Sequence, residues 1–488
     1  MTTSLATSRE TVRKLQTSLR AKAKAEPAFR FYSLRDKIHR PDVLAEAYRH
    51  CRRHAGAPGV DGEGFEAIEA RGLEAWLGTL REELRAGTYR PRPLLRVWIP
   101  KSDGGQRPLG IPCIRDRVAQ AAALLVLGPI VEADLPPQQY GFRPGLGAKM
   151  AVRRAYFHIT QRGRREVVDA DLSDYFGSIP HGPLLRCLRR RIADGRVLAL
   201  IRAWLRVAVV ERTGRTERRT AQARKRRRGV PQGGVVSPLL ANLYFRRFVL
   251  AWEKLGWQRR LDAHIVNYAD DFVICCRPGT GEAAMRAMRH LMVRLGLAVN
   301  DRKTRLAVLP EERFDFLGYT IGRFHGKGGR PYLGTAPSKK AVRSLLRRVH
   351  DLTSSRWNTT MPEGRIAALN PLLRGWAAYF SQGPVARAYD LVRWYTERRL
   401  QRWLTRRSGR QGTGYRRYPK SYLYQALGLY ELPRAYVDPP SAKARDLERE
   451  PDAGNPHVRF DERRLETEPC RAGLRGRSES DAVTPPGG

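Results

Sequence analysis

His264-Ile265-Val266-Asn267-Tyr268-Ala269-Asp270-Asp271-Phe272-Val273-Ile274-Cys275-Cys276, HIVNYADDFVICC, places two adjacent carboxylates between two short runs of β-forming residues. The runs read as strands, and the break between them has room only for a tight hairpin turn. Asp is common in turns, so the pair alone fits a solvated acidic turn as well as a binding site. A hard divalent cation such as Mg²⁺ takes carboxylate oxygen and shares its shell with substrate phosphates. A third acid decides between the two, and Val167-Val168-Asp169-Ala170-Asp171-Leu172-Ser173-Asp174-Tyr175-Phe176 supplies it where a short apolar strand ends at Asp171. With this strand beside the hairpin, Asp171 and Asp270 would hold two Mg²⁺ ions about 3.5–4 Å apart, the spacing for in-line phosphoryl displacement. Asp169 and Asp174 read as polar positions of strand and turn.

The 488 residues allow two to four domains. Lys and Arg number 91 against 48 acids, a net charge of +43 at pH 7. A field of that sign and size points to a polyanionic partner. The longest apolar run, Ala121 to Val131, is too short to span a membrane, and no signal-peptide core opens the chain, so a cytoplasmic protein without a membrane partner is expected. The six cysteines lack Cys-x-x-Cys pairs and read as reduced thiols. No Gly-x-x-x-x-Gly-Lys-Ser/Thr loop is present, which leaves ATPase chemistry without support.

Along the chain, amphipathic helices occupy the first ninety or so residues, broken at Gly56 to Gly62. Trp98 to Lys101 and Arg107 to Pro112 flank a Gly104-Gly105 turn as a hairpin. Strand-like pieces at Glu166 to Asp171, Ile265 to Cys276, Arg305 to Leu309 and Phe314 to Ile321 alternate with helical segments, the pattern of an α+β domain. From Ser338 to about Arg407 the pattern is helical, with Leu369, Leu372, Leu373, Trp376, Tyr379 and Phe380 as a buried stripe. In Gly229-Val230-Pro231-Gln232-Gly233-Gly234-Val235-Val236-Ser237-Pro238, the Gly pair predicts close backbone approach to a substrate, Ser237 an N-cap and Pro238 a first helical residue. Just ahead of it, Arg212 to Gly229 holds nine basic residues and one acid, placed to track a phosphate backbone.

These motifs, in this order over residues 35 to 430, resemble a group II intron-encoded reverse transcriptase/maturase. The resemblance rests on Tyr268 to Asp271, on Gly229 to Asn242, on Leu295-Gly296-Leu297 with Lys303-Thr304, and on Asn370-Pro371-Leu372-Leu373-Arg374-Gly375-Trp376. It implies an α+β right-hand polymerase with fingers and palm followed by an α-helical thumb, or maturase, domain. Asp171, Asp270 and Asp271 would be catalytic, and with Leu172 would contact two Mg²⁺ ions. Lys101, Arg107, Phe176, Gln232 and Lys303 would bind the incoming nucleotide, Phe176 against the sugar 2′ position. Arg224, Lys225, Arg226, Arg227, Arg228 and Arg374 would bind RNA, and Phe314 to Tyr319 would grip the primer end. The implied partners are intron RNA, an RNA template with DNA primer, deoxynucleoside triphosphates and a DNA target. The expected divisions are a helical N-terminal extension with fingers (1–88), fingers and palm (89–335), thumb (336–407), a small basic nucleic-acid-binding module (408–433) and a disordered tail (434–488).

Two departures from the family pattern stand out. Gly177 replaces the usual Asp after the ring at Phe176, and Gly141-Phe142-Arg143-Pro144-Gly145 continues as Leu146-Gly147-Ala148-Lys149-Met150 instead of Arg-Ser-Ala-His-Asp. After Leu400 only His457 and Cys470 remain as soft metal ligands, so the Cys- and His-bearing nuclease of some members is not expected. The alternatives are a domesticated retron-type or defence reverse transcriptase and a non-enzymatic RNA-binding splicing factor. Intact acids with Lys101, Arg107 and Gln232 weigh against the latter.

Overall fold

The computed structural model describes residues 2–100, 105–213, 216–219, 227–326 and 328–433. Helices come first: α1 (Thr2–Ala25), α2 (Arg35–Ile38), α3 (Pro41–His54), α4 (Phe65–Ala70) and α5 (Leu73–Ala86). The hairpin of β1 (Leu94–Pro100) and β2 (Gln106–Ile111) follows, with Trp98 opposite Pro108. Then α6 (Ile114–Asp134), whose apolar run is buried on most sides, forms the axis on which α1 and α3 pack. Ala121 to Val131 is therefore a core helix, and among the described residues no helix is long and apolar enough to cross a membrane.

The middle of the chain contributes α7 (Ala148–Thr160), β3 (Glu166–Ala170), β4 (Leu172–Ser173), α8 (Tyr175–Ser178), α9 (His181–Arg191), α10 (Gly195–Leu205), β5 (Val209–Thr213), β6 (Thr216–Arg219), α11 (Ser237–Lys254), α12 (Trp257–Arg260), β7 (His264–Tyr268), β8 (Asp271–Cys276), α13 (Gly281–Arg294), β9 (Ala298–Val299) and β10 (Arg305–Val308). The central sheet has the order β10-β3-β8-β7, antiparallel throughout. Its strands read as near-continuous apolar runs because both faces are covered. Alternation divides them: Val168, Ile265, Phe272, Ile274 and Cys276 face the large core with α11 and α13, while Val167, Val266, Val273 and Cys275 face a second core with α7. The N-terminal hairpin extends to a sheet of order β2-β1-β5-β6. The beginning of the basic run, read as an open phosphate track, is thus partly the β5–β6 hairpin, with Arg212 opposite Glu217.

A third sheet, β11 (Phe314–Phe316), β12 (Tyr319–His325) and β13 (Pro331–Pro337), leads into three helices, α14 (Lys339–Leu352), α15 (Pro362–Tyr379) and α16 (Ala386–Arg407). The Ser338 hydroxyl accepts from Ala341 N at 3.1 Å and caps α14, whose Val342, Leu345 and Val349 bury one stripe. The stripe expected on α15 divides between two cores. Leu369 and Leu373 join α14 and α16, whereas Phe380 packs under the β11–β12 turn, where the ring lies 3.2 Å from the position a Cβ on Gly318 would take.

Residues 408–433 do not form a core of their own. Leu423, Leu429 and Leu432 are buried among the residues of α14 to α16, and Asn370 on α15 bonds to this segment in both senses, Nδ2 to Gly428 O at 2.8 Å and Oδ1 from Tyr430 N at 2.7 Å. The expected disordered tail, 434–488, lies outside the described residues.

Candidate active site

Tyr268 and Asp271 pair across the end of the β7–β8 hairpin, leaving Ala269-Asp270 as a two-residue turn. Ala269 has φ +60°, a conformation that such turns usually give to Gly. Next to this hairpin, β3 ends and Asp171 follows, so register alone brings the three acids to one rim of the sheet. The loop from Asn300 to Thr304 holds Asp171 from the other side. Asn300 N donates to Asp171 O at 2.8 Å, Asn300 Nδ2 to Asp171 Oδ2 at 3.0 Å, and Asp171 N to Thr304 Oγ1 at 3.2 Å. Lys303 Nζ stands 3.6 Å from Asp171 Oδ2.

The electrostatics tie these groups together. The Asp271 residue is exposed at the rim, yet the protein mass around its carboxyl desolvates it, and with the charges of Asp270 and Asp171 this pushes its pKa up to about 6. Lys303 and then Arg107, from β2 of the N-terminal hairpin, act in the opposite direction. Asp169, one register step back, is pushed up to about 7 by burial, with Asp271, Asp315 and Asp171 adding to it and Arg305, 3.9 Å away, opposing it. Carboxylates held against like charge at a sheet rim are a donor set that fits a hard divalent cation. Among the described residues no three acids, His or Cys close into a ready-made cage. Leu172 pairs with Val299 and buries its side chain, which leaves only its carbonyl oxygen as a donor.

The Gln232 loop is tied to β2 and to α8. Gly110 N on β2 donates to Gln232 O at 2.8 Å, and Val230 N to Phe176 O at 2.7 Å, so Gln232, Phe176 and the hairpin bearing Arg107 are joined by backbone bonds. Gly233 was expected to admit a substrate. Instead its φ of +106° and the 2.5 Å from an added Cβ to Gly110 O show that the glycine is required by the protein's own β2 strand. Ser237 likewise does not cap α11: its hydroxyl donates to Pro231 O at 2.6 Å and closes the loop, while Val236 takes the cap position. Phe176 is half-buried, its ring packed edge-on to Tyr175.

The departures have local reasons. Asp174, with φ +44°, caps the short α8 by accepting from Gly177 N, and a Cβ on Gly177 would collide with the Asp174 carboxylate. Lys149 donates to Ala378 O at 2.9 Å near the end of α15 and its own carbonyl accepts from Gln382, which joins α7 to the C-terminal helices. Of the RNA-binding expectations, Arg228 donates to Gly296 O at 3.0 Å, Arg227 is exposed, and Arg374 is exposed on α15 with its guanidinium 5.4 Å from the Tyr430 ring centre. Lys101, Arg224, Lys225 and Arg226 lie outside the described residues. Sequence reasoning missed Asn300, whose signal was its place three residues ahead of Lys303, and Asn267, whose signal was a single amide within an otherwise apolar strand and which the structure buries completely.

Residues 99–321 match the model of the family described as reverse transcriptase (RNA-dependent DNA polymerase), and residues 342–422 that of the group II intron, maturase-specific domain. Protein YkfC of Escherichia coli K12 is 34% identical over 368 residues, 68% of this chain and 93% of that one. Group II intron-encoded protein LtrA of Lactococcus lactis subsp. cremoris is 32% identical over 216 residues, 43% of this chain but only 34% of LtrA. An uncharacterized 91 kDa protein in a cob intron of Schizosaccharomyces pombe is 28% identical over 57% of this chain and 32% of its own length.

Proposed function

Since the chain belongs to the group II intron reverse transcriptase/maturase family, whose function is RNA-directed DNA synthesis with a role in intron splicing, we propose that it copies RNA into DNA at the rim bearing Asp171, Asp270 and Asp271. What carries this reading is that the register of β3 with β8 sets Asp171 beside the Asp270-Asp271 turn, with Lys303 Nζ 3.6 Å from Asp171 Oδ2. Polyphosphate chemistry needs acids to hold metal and bases to hold phosphate in one place.

The donor set fits Mg²⁺, with Asp171, Asp270, Asp271 and the Leu172 carbonyl as the groups that would hold two ions. Bound there, the ions supply a lowered pKa at the primer 3′-hydroxyl and charge neutralisation on the departing pyrophosphate. The protein's own groups do the rest. Arg107 and Lys101 bind the triphosphate from the fingers hairpin. Gln232, fixed through its carbonyl to Gly110, lies against the incoming nucleotide, and Phe176 excludes a 2′-hydroxyl. Lys303, beside Asp171, carries positive charge to the leaving group. Asn300 keeps Asp171 turned into the site.

The fingers and palm would occupy 89–335 after a helical extension, and the thumb would begin at 336. The thumb and basic surfaces, with Arg224 to Arg228 and Arg374, would bind the intron RNA to assist splicing and retrohoming. An RNA template with a DNA primer, deoxynucleoside triphosphates and a DNA target complete the partners, and a cytoplasmic location suits them. The test is extension of a DNA primer on an RNA template by the purified protein with Mg²⁺. DNA product is expected, and Phe176→Ala should raise ribonucleotide incorporation. No extension on any primed RNA would overturn the reading, and unchanged sugar selectivity would return Phe176 to the core.

A further inference from the structure

The acid hairpin is held from outside as well as by the pairing of its own strands. Its turn keeps a Cβ-bearing residue, Ala269, at φ +60°, and β7 is the edge strand of the central sheet. Asn267, with no exposed surface, places its side-chain amide under the turn and donates to Ala269 O at 2.8 Å and to Asp271 O at 3.4 Å, the carbonyls on either side of Asp270. The backbone of Asn267 is gripped in turn by residues 138–140: Asn267 N donates to Gln138 O at 2.9 Å and Tyr140 N to Asn267 O at 2.8 Å. This strip covers the open edge of β7, and it leads directly to Gly141.

Gly141 faces the turn from outside. A Cβ there would come within 2.4 Å of Ala269 N and 3.0 Å of Tyr268 C, both backbone atoms that cannot swing away. Its carbonyl is fixed by Asn242 Nδ2 at 2.6 Å, and Asn242 O accepts from Gln139 Nε2 at 3.1 Å. Gln139 is wholly buried and Asn242 nearly so. Three stretches of the sequence, Gln138 to Pro144, Ser237 to Asn242 and Asn267 to Asp271, therefore meet around one turn through buried amides and a missing side chain. The amide N–H groups of Asn267, Asn242 and Gln139 each donate to a backbone carbonyl around the turn, and a different turn geometry would forfeit those buried bonds, although Asn267 Oδ1 and Gln139 Oε1 have no protein partner among the described residues.

We propose that Asn267, Asn242 and Gly141 are positioning residues that set the angle at which Asp270 and Asp271 are presented to Asp171, and so determine how well the rim holds a divalent cation. The proposal rests on the reading of Asp270 and Asp271 as metal-holding acids.

The experiment measures Mn²⁺ binding to the full-length protein by paramagnetic resonance, without substrate, alongside steady-state primer extension. Asn267→Ala and Gly141→Ala should each weaken Mn²⁺ binding several-fold and lower kcat about ten- to a hundred-fold, the loss expected of a misplaced but intact group. KM for deoxynucleotide and affinity for RNA should stay within about two-fold of wild type, a split that general destabilisation would not produce. Asn242→Leu, which fills the volume and removes only the hold on Gly141, should show the same split to a smaller degree. Wild-type cation binding and kcat in these variants would overturn the proposal. Asp270→Asn separates the two readings: if it leaves Mn²⁺ binding intact, the metal assignment itself falls, whereas if it abolishes binding while the three variants behave as wild type, only the positioning role falls. Should the variants not fold, hydrogen exchange in the unmodified protein decides. The amides of Tyr140 and Asn267 should exchange as slowly as those of β3, and fast exchange there would refute a fixed turn.

Discussion

Gly233→Ala should separate the fingers hairpin from the palm. At Gly233 an added Cβ would lie 2.5 Å from Gly110 O and 3.1 Å from a Leu109 methyl, and the residue's φ is +106°. Forcing Ala into that conformation costs about 1–3 kcal/mol. The carbonyl contact cannot be relieved without moving β2, which breaks the 2.8 Å bond from Gly110 N to Gln232 O, worth about 1 kcal/mol more. The sum is about 2–4 kcal/mol, lowering the melting temperature of a fingers–palm unit by roughly 5–10 °C. Arg107 lies on the displaced strand, so KM for deoxynucleotide should rise while RNA affinity holds. Gly163→Ala is the control, with φ +66° but no atom within 4 Å of the added Cβ, and it should lose only the conformational part. Differential scanning calorimetry and steady-state extension check both quantities. A Gly233→Ala protein with the melting temperature and KM of wild type would refute the argument that this glycine joins β2 to the Gln232 loop.

Asp169 has its carboxyl raised to about 7 in the fold from a usual value near 3.8, so it destabilises the fold as pH rises through that window and is without effect below it. Asp169→Asn, in chelator, should therefore be more stable than wild type at pH 8, by a gain on the order of 2–4 kcal/mol that fades as pH falls towards 4, as followed by urea denaturation. Replacing Arg226, Arg227 and Arg228 by Gln should flatten the salt dependence of RNA binding by roughly 0.7 in log–log slope per lost single-strand phosphate contact, measured by filter binding across salt concentrations. Ending the chain after Arg407 should destabilise the thumb by about 5 kcal/mol or more, since it removes buried Leu423, Leu429 and Leu432, whereas ending it after Pro433 should leave stability and extension intact. Limited proteolysis of the two truncations distinguishes them.

The acid hairpin and Asp171 could be read from the sequence because short apolar strands bounded by charge leave a local pattern, and the Trp98 to Pro112 hairpin could be read from its turn. The β5–β6 hairpin could not, because Arg and Thr alternation within a basic run hides the strand period under charge. Likewise β13 begins and ends on proline, which argues against a strand unless, as here, it lies at a sheet edge. The errors at Gly233 and Ser237 share a cause. A glycine pair and a Ser-Pro step show that the backbone is constrained, and whether substrate or the protein's own strand imposes the constraint is settled only by tertiary contact. Asn242, Gly141 and Asn300, and the backbone of Asn267, act through partners 101 to 129 residues away, a separation that no local periodicity encodes. The expected separate module at 408–433 has three leucines near its end, Leu423, Leu429 and Leu432, that join the core of α14 to α16, a contact that no local pattern reveals.

Primer extension on an RNA template by Asp270→Asn protein, measured beside its affinity for the same RNA, tests the central claim most directly. The substitution keeps shape and removes one charge from a surface whose net charge is +43. Mg²⁺-dependent extension should be abolished while RNA affinity stays within a few-fold of wild type. Full extension by the pure variant would contradict the assignment of Asp171, Asp270 and Asp271 as the acids of a polymerase site.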